Sequence, residues 1–257
     1  MSTGSQYNLG FISDNNIRNH VKDIILKYRL SINYTEFKKL KIDPIKATFD
    51  MLVYNLSDVE FIQREIIRQI DKSNNNQIGY FHQNIFKYIQ GWEVLKLGYD
   101  IVNHEKNYYA EIKNKFNTMN SNAKENTFRK MRKTIENNLK ATCFLIEVIS
   151  KESRNNPWSV KIDNEVVECE RIRIISIDRF YAIATGDDHA FAKLCKKLPR
   201  IIRDVIKVIR DEGIEIGFSS ENNNILEELR KRNQDLLTAL YLLAFDSYEG
   251  FKNFTQD

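Results

Sequence analysis

The stretch "ATCFLIEVI", residues 141–149, constrains the fold more than any other segment of this chain. It is short and almost continuously apolar, as expected of a strand buried on both faces at the centre of a sheet. A basic helical pattern covers about 123–140 just before it, and a period-two run, Tyr108–Lys113, comes before that helix. Strand, helix and buried strand in that order outline a right-handed crossover unit. An α/β domain is therefore expected, with a mixed central sheet flanked by helices.

The flanks read as helical extensions. Residues 13–30 carry apolar side chains at 17, 21, 24, 25 and 28, with Asp14, Asn15 or Asn16 as N-cap. A second helix is expected over 45–55, and a third from the Ser57/Asp58 cap through "VEFIQREIIRQID". "KSNNNQ", 72–77, reads as a loop by composition, and "IGYFHQNIFKYIQG" as a helix stopped by Gly91. Beyond the central strand, "SRNNPWS" reads as a turn and "RIRIISI", 171–177, as another strand. Helical patterns over about 187–211 and 224–246, separated by "EGIEIGFSSENNN", complete the chain. The expected organisation is one domain over residues 1–257. It has a helical N-terminal segment (1–76), an α/β core (77–186) and a helical C-terminal segment (187–257).

Composition excludes several classes. No apolar run approaches the roughly 20 residues of a membrane-spanning helix, and "MSTGSQYNLG" has no signal-peptide pattern. Cys143, Cys169 and Cys195 are odd in number and widely spaced, which fits reduced thiols in a cytoplasm and gives no zinc pattern. The net charge is only +4, yet residues 111–140 hold eight Lys/Arg against three Asp/Glu, so the rest of the chain is nearly neutral. A local basic stripe suits a polyanion, although a solvated helix face has the same composition.

The chemistry sits beside that stripe. Alternation along Tyr108–Lys113 sends Tyr109, Glu111 and Lys113 to one face, and Asp100 lies across the polar turn His104–Asn107. Two carboxylates on adjacent strands can hold Mg²⁺ and leave positions open for water and a phosphate. A lysine one step along the strand can hydrogen-bond the attacking water and balance charge at the phosphate. These residue types suit phosphodiester hydrolysis. A lone Glu-x-Lys is weak evidence, and the chain has another at Glu36 and Lys38 with no upstream partner.

With its context, the arrangement resembles the PD-(D/E)xK nuclease superfamily, with Asp100 as the Asp and Glu111-Ile112-Lys113 as (D/E)xK. "EIKNKFNTMNS" and "ATGDDHAF", together with "IGYFHQ", resemble type II restriction endonucleases that cut short GC-rich palindromes of the GGNCC kind. Tyr99 stands where the name-giving Pro would be. For the further active-site residue that the superfamily often draws from the preceding helix, Gln83 and Glu65 are the candidates.

The resemblance implies one or two Mg²⁺ per site on Asp100, Glu111 and the Ile112 carbonyl, with Lys113 on the nucleophilic water and 5′-phosphate products. It also implies double-stranded DNA as substrate, a homodimer to match a twofold site, and a methyltransferase as functional, not physical, partner. Asn114, Lys115, Asn117, Thr118, Asn120 and Ser121 would emerge beside the scissile phosphate and contact DNA. Lys124, Arg129, Lys130, Arg132 and Lys133 would contact phosphates. The rival readings are a structure-specific repair or junction nuclease, a DNA-binding protein whose Asp/Glu/Lys trio is structural, and a scaffold without a nucleic-acid role. His189 reads as a neighbour of an Asp187 or Asp188 helix cap, and Trp92 and Trp158 as packing residues.

Overall fold

A computed structural model describes residues 6–39, 42–214, 216 and 223–245. Helices α1 (Asp14–Lys27), α2 (Tyr34–Lys39), α3 (Pro44–Val53) and α4 (Asp58–Asn84) lead into a 3-10 turn at Ile85–Tyr88. Strands β1 (Glu93–Val94), β2 (Ile101–Asn103) and β3 (Tyr108–Lys115) follow, then α5 (Ser121–Asn137) and β4 (Thr142–Ile149). After them come β5 (Asn155–Pro157), β6 (Val160–Ile162), β7 (Glu165–Val167) and β8 (Ile172–Ser176). The described residues end with α6 (Ile177–Thr185), α7 (Ala190–Asp211), α8 (Asn223–Arg230) and α9 (Leu236–Phe245).

Six of the strands form one mixed sheet in the order β1-β2-β3-β4-β8-β5. β4 is central and runs parallel to both β3 and β8, while β1, β2 and β5 are antiparallel to their neighbours. The expected α/β class with a mixed, helix-flanked sheet is what the chain adopts. One face packs on α5 and on the β6–β7 hairpin through Phe128, Met131, Cys143, Leu145 and Trp158. On the other face Trp92, Tyr108, Phe144 and Phe180 stack edge to face or tilted.

The chain divides into two compact units. The sheet belongs to the unit formed by 1–26 and 77–214, and the other unit comprises 27–76 and 215–257. This second unit is helical among its described residues, with a core that includes Phe37, Ile62, Ile66, Ile70, Leu229 and Leu240.

Four local expectations are corrected. "KSNNNQ" is helix, not loop, because α4 runs unbroken from Asp58 to Asn84. Two of its side chains are held in place: Asn74 exchanges two hydrogen bonds with the Arg29 backbone, and Asn75 donates to Asp71. Tertiary partners thereby override a weak propensity. "SRNNPWS" contains the edge strand β5, where Pro157 is tolerated because an edge strand need not donate on both sides. The pattern over 224–246 is two helices, since Lys231–Asp235 breaks it and Asp235 accepts from the Thr238 N–H to start α9. Its last residue, and 215 and 217–222 of the segment before it, lie outside the described residues. Finally, α6 and the β6–β7 hairpin occupy segments where no element was expected. Gly91 does stop a helical segment, at φ +80, and a Cβ there would come within 3.0 Å of Asn103.

Candidate active site

The site begins with the β2–β3 hairpin. Asn107 takes φ 55 in its turn, a conformation that Asn tolerates better than most side chains. The Asn107 carbonyl accepts from the Thr142 N–H at 2.9 Å, and its side chain from Asn138 at 2.8 Å. These bonds tie the hairpin to the start of β4. Register pairs Ile101 with Ala110, and the Asp100 N–H donates to the Ala110 carbonyl at 3.0 Å. Asp100 therefore lies beside Glu111.

The carboxylates are placed accordingly. Asp100 Oδ2 accepts from the Ile112 N–H at 2.7 Å, which locks its side chain against β3. Glu111 is buried at 9% exposure, and Lys113 Nζ lies 3.7 Å from its Oε2. Gln83 donates to the Asp100 carbonyl at 3.3 Å. Its rival, Glu65, belongs to the other unit and is engaged there by Arg68 and Gln69. Asp100, Glu111, Lys113 and Gln83 thus meet on one hairpin and the helix beside it.

Lys130 of α5 also enters the site. Its ammonium pairs with Glu111 Oε1, donates to the Gly98 carbonyl at 2.7 Å and lies 4.3 Å from the Tyr99 ring centroid. Gly98, at φ +88 between β1 and β2, turns the chain that presents this carbonyl. Tyr99 shares a hydrogen bond with Thr134 at 2.8 Å. Burial, then the Cys143 contact, pushes its phenol up, and burial pushes the Cys143 thiol up to about 11. Both stay protonated at neutral pH, so the floor of the site carries no added negative charge.

The remaining site candidates surround this centre. Asn114 is half-buried, and Lys115, Asn117, Thr118, Asn120 and Ser121 are exposed on the segment leaving β3. Asn120 caps α5 by accepting from the Ala123 N–H at 2.8 Å, and Thr118 donates to the Lys115 carbonyl at 2.9 Å. Along α5, Arg129 pairs with Glu125 and Asp163, and Arg132 with Glu136. Lys124 and Lys133 are exposed. The basic stripe is thus partly neutralised by its own helix, and one of its members points inward.

Sequence reasoning did not single out a cavity of about 220 Å³ next to Lys113, at the C-terminal ends of β3 and β4. Lys113, Lys115, Lys124, Lys151 and Arg154 line it, with Glu147 as its one acidic residue. The signal was available, since Glu147 is the one charged residue inside the apolar run 141–149. A wider groove of about 620 Å³ lies against Gln83, Lys87, Lys96 and Asp100. Burial lowers His82 to about 4, so its imidazole is neutral at neutral pH.

Among the described residues no cluster of three His, Cys, Asp or Glu could hold a metal. Two hard carboxylates and a neighbouring backbone carbonyl still fit a cation such as Mg²⁺, which keeps several waters and takes few protein ligands. The Ile112 N–H engages one Asp100 oxygen and leaves the other available.

A mixed sheet whose parallel centre adjoins a hairpin bearing Asp, Glu and Lys is the architecture of restriction-endonuclease-like nucleases. Similarity to known proteins narrows that class. A model of the Eco47II restriction endonuclease family matches residues 9–207, and the chain belongs to that family. It is 32% identical over 241 residues to the type II restriction enzyme Sau96I of Staphylococcus aureus, covering 86% of this chain and 92% of that protein. It is 27% identical over 211 residues to the type II restriction enzyme Eco47II of Escherichia coli, covering 77% and 88%. The resemblance carried by "EIKNKFNTMNS" and "ATGDDHAF" is borne out at family level.

Proposed function

We propose that the chain is a Mg²⁺-dependent type II restriction endonuclease that cuts double-stranded DNA at a short GC-rich palindrome of the GGNCC kind. The observation that carries the catalytic assignment is the Asp100 carboxylate held on the Ile112 N–H, beside Glu111 and Lys113. Asp100, Glu111 and the Ile112 carbonyl would hold the cation. When bound, such a cation neutralises charge at the scissile phosphate and eases deprotonation of a water.

The chain's own residues do the rest. Lys113 orients the nucleophilic water by donating to it and balances phosphate charge. Gln83 steadies the strand bearing Asp100. The segment 114–121 and the exposed basic residues of α5 contact DNA. Products carry 5′-phosphate and 3′-hydroxyl ends. A homodimer matches the twofold site, and a methyltransferase of the same specificity protects host DNA in the cytoplasm. Among the described residues, no helix is long and apolar enough to cross a membrane.

The test is a digest of a fully sequenced, unmethylated viral DNA with Mg²⁺, beside Glu111→Ala and Lys113→Ala. Discrete fragments from the wild type alone are expected, and their mapped ends give the site. A smear, or cutting only at branched DNA, favours the repair-type reading. Salt-sensitive binding by folded protein without any cutting overturns the catalytic assignment.

A further inference from the structure

We infer that Arg154 is a positioning residue for Lys113, and that it acts by holding the buried carboxylate of Glu147 away from that lysine. The inference rests on the reading of Lys113 given above. Lys113 and Glu147 are register partners on adjacent parallel strands. Their side chains leave the same face of the sheet, from strands about 4.8 Å apart.

Glu147 is 4% exposed, and a carboxylate that deep is tolerated only when it is paired. It accepts from Arg154 Nη2 at 2.6 Å and from Ser150 Oγ at 3.0 Å. Arg154 is itself anchored: its N–H donates to Ser176 Oγ at 3.0 Å, and its carbonyl accepts from the Ser176 N–H at 3.0 Å. Lys113 meanwhile lies 3.7 Å from Glu111, and the structure places no Lys113–Glu147 pair among the described residues. The two buried acids of this sheet face thus keep separate partners, Glu111 with Lys113 and Lys130, and Glu147 with Arg154.

Without Arg154 that division fails. Glu147 would be left as a buried, unpaired charge beside a lysine whose flexible stem can turn toward it. Lys115, Lys124 and Lys151 also face the cavity. All three are exposed, and the Lys151 ammonium lies 5.4 Å from the Phe116 ring centroid. Lys113 alone is already half-buried on the neighbouring strand and therefore loses least water in pairing with Glu147. A lysine drawn to Glu147 is withdrawn from the water it orients.

The experiment compares wild type, Lys113→Ala, Arg154→Met, Glu147→Gln and the double variant Arg154→Met/Glu147→Gln. Single-turnover cleavage is followed well below the unfolding temperature, and duplex affinity is measured with Ca²⁺ in place of Mg²⁺. The single-turnover rate of Arg154→Met is expected to fall about a hundredfold, the scale of a displaced catalytic group, with duplex affinity little changed. Glu147→Gln, which removes the competing charge, is expected to keep the rate, and the double variant to recover most of it. If Arg154→Met lowers the unfolding temperature but keeps its rate, its role is structural and the inference is overturned. A double variant as slow as the single one overturns it too. A wild type that binds and never cuts defeats the underlying reading of Lys113, and the inference with it. Active wild type, inactive Lys113→Ala and fully active Arg154→Met defeat the inference alone.

Discussion

At the scale of single residues, the ammonium of Lys130 is the least anticipated feature of the site. Its sequence context is a basic helix, where a phosphate contact is the natural expectation, yet the fold turns it inward onto Glu111. There it serves as counter-ion for a carboxylate assigned to the cation. A partly exposed pair of this kind contributes about 1 kcal/mol, so competition with a metal is modest. Lys130→Met is expected to raise Ca²⁺ affinity of the DNA-free protein about fivefold by calorimetry, and Glu111→Ala to abolish that binding. Unchanged Ca²⁺ affinity in Lys130→Met would show that the ammonium does not occupy the cation's place. Sequence alone could put Asp100, Glu111 and Lys113 on one hairpin because period two and a four-residue turn are local rules. It could not place Lys130, because which α5 side chains meet β3 depends on how the helix is set against the sheet.

At the scale of elements, the proposed chemistry rests on the unit β3–α5–β4, whose packing sets its geometry. α5 presents Phe128, Met131 and Ile135 to the sheet, spaced three and four apart, and Phe128 meets Trp158 edge to face at 5.8 Å. Phe128 is 1% exposed. Phe128→Ala is expected to cost about 3–5 kcal/mol of stability by cavity formation, read as a lower denaturant midpoint with altered Trp fluorescence. A loss under about 1 kcal/mol, again on the large-to-small scale, would mean that α5 is not held by this contact. β2, β3, β4, β8 and α5 were legible because period-two alternation, continuous apolar runs and helical spacing are local signals. The 72–77 helix was not, since a run of Asn is a loop signal until Arg29 satisfies Asn74. β5, with Asn and Pro throughout, was hidden for a similar reason: its pairing with β8 is non-local.

At the scale of the whole chain, the charge distribution and the symmetry of the proposed palindromic site both bear on assembly. The basic excess is confined to residues 111–140, next to the carboxylates, while the rest of the chain is nearly neutral. Among the described residues a single chain presents one candidate centre, and cutting both strands of a twofold site calls for two. Sedimentation equilibrium on the DNA-bound protein is expected to give two copies of the 30.4 kDa chain per duplex. One copy per duplex, with both strands cut, would remove the dimer from the mechanism.

Residue order was enough to locate the central strand, the hairpin with its Asp, Glu and Lys, and the family resemblance. Each of these depends on neighbours close along the chain, or on residues conspicuous within a run. Packing in three dimensions was needed to turn Lys130 onto Glu111 and to give Glu147 to Arg154. It was needed also to set Gln83 against Asp100 while Glu65 is engaged in the other unit. These are pairings between charges or polar groups that local periodicity does not address. Side-chain type does not choose among several equally suitable partners; burial and register do, by giving Glu111 to Lys113 and Lys130 and Glu147 to Arg154.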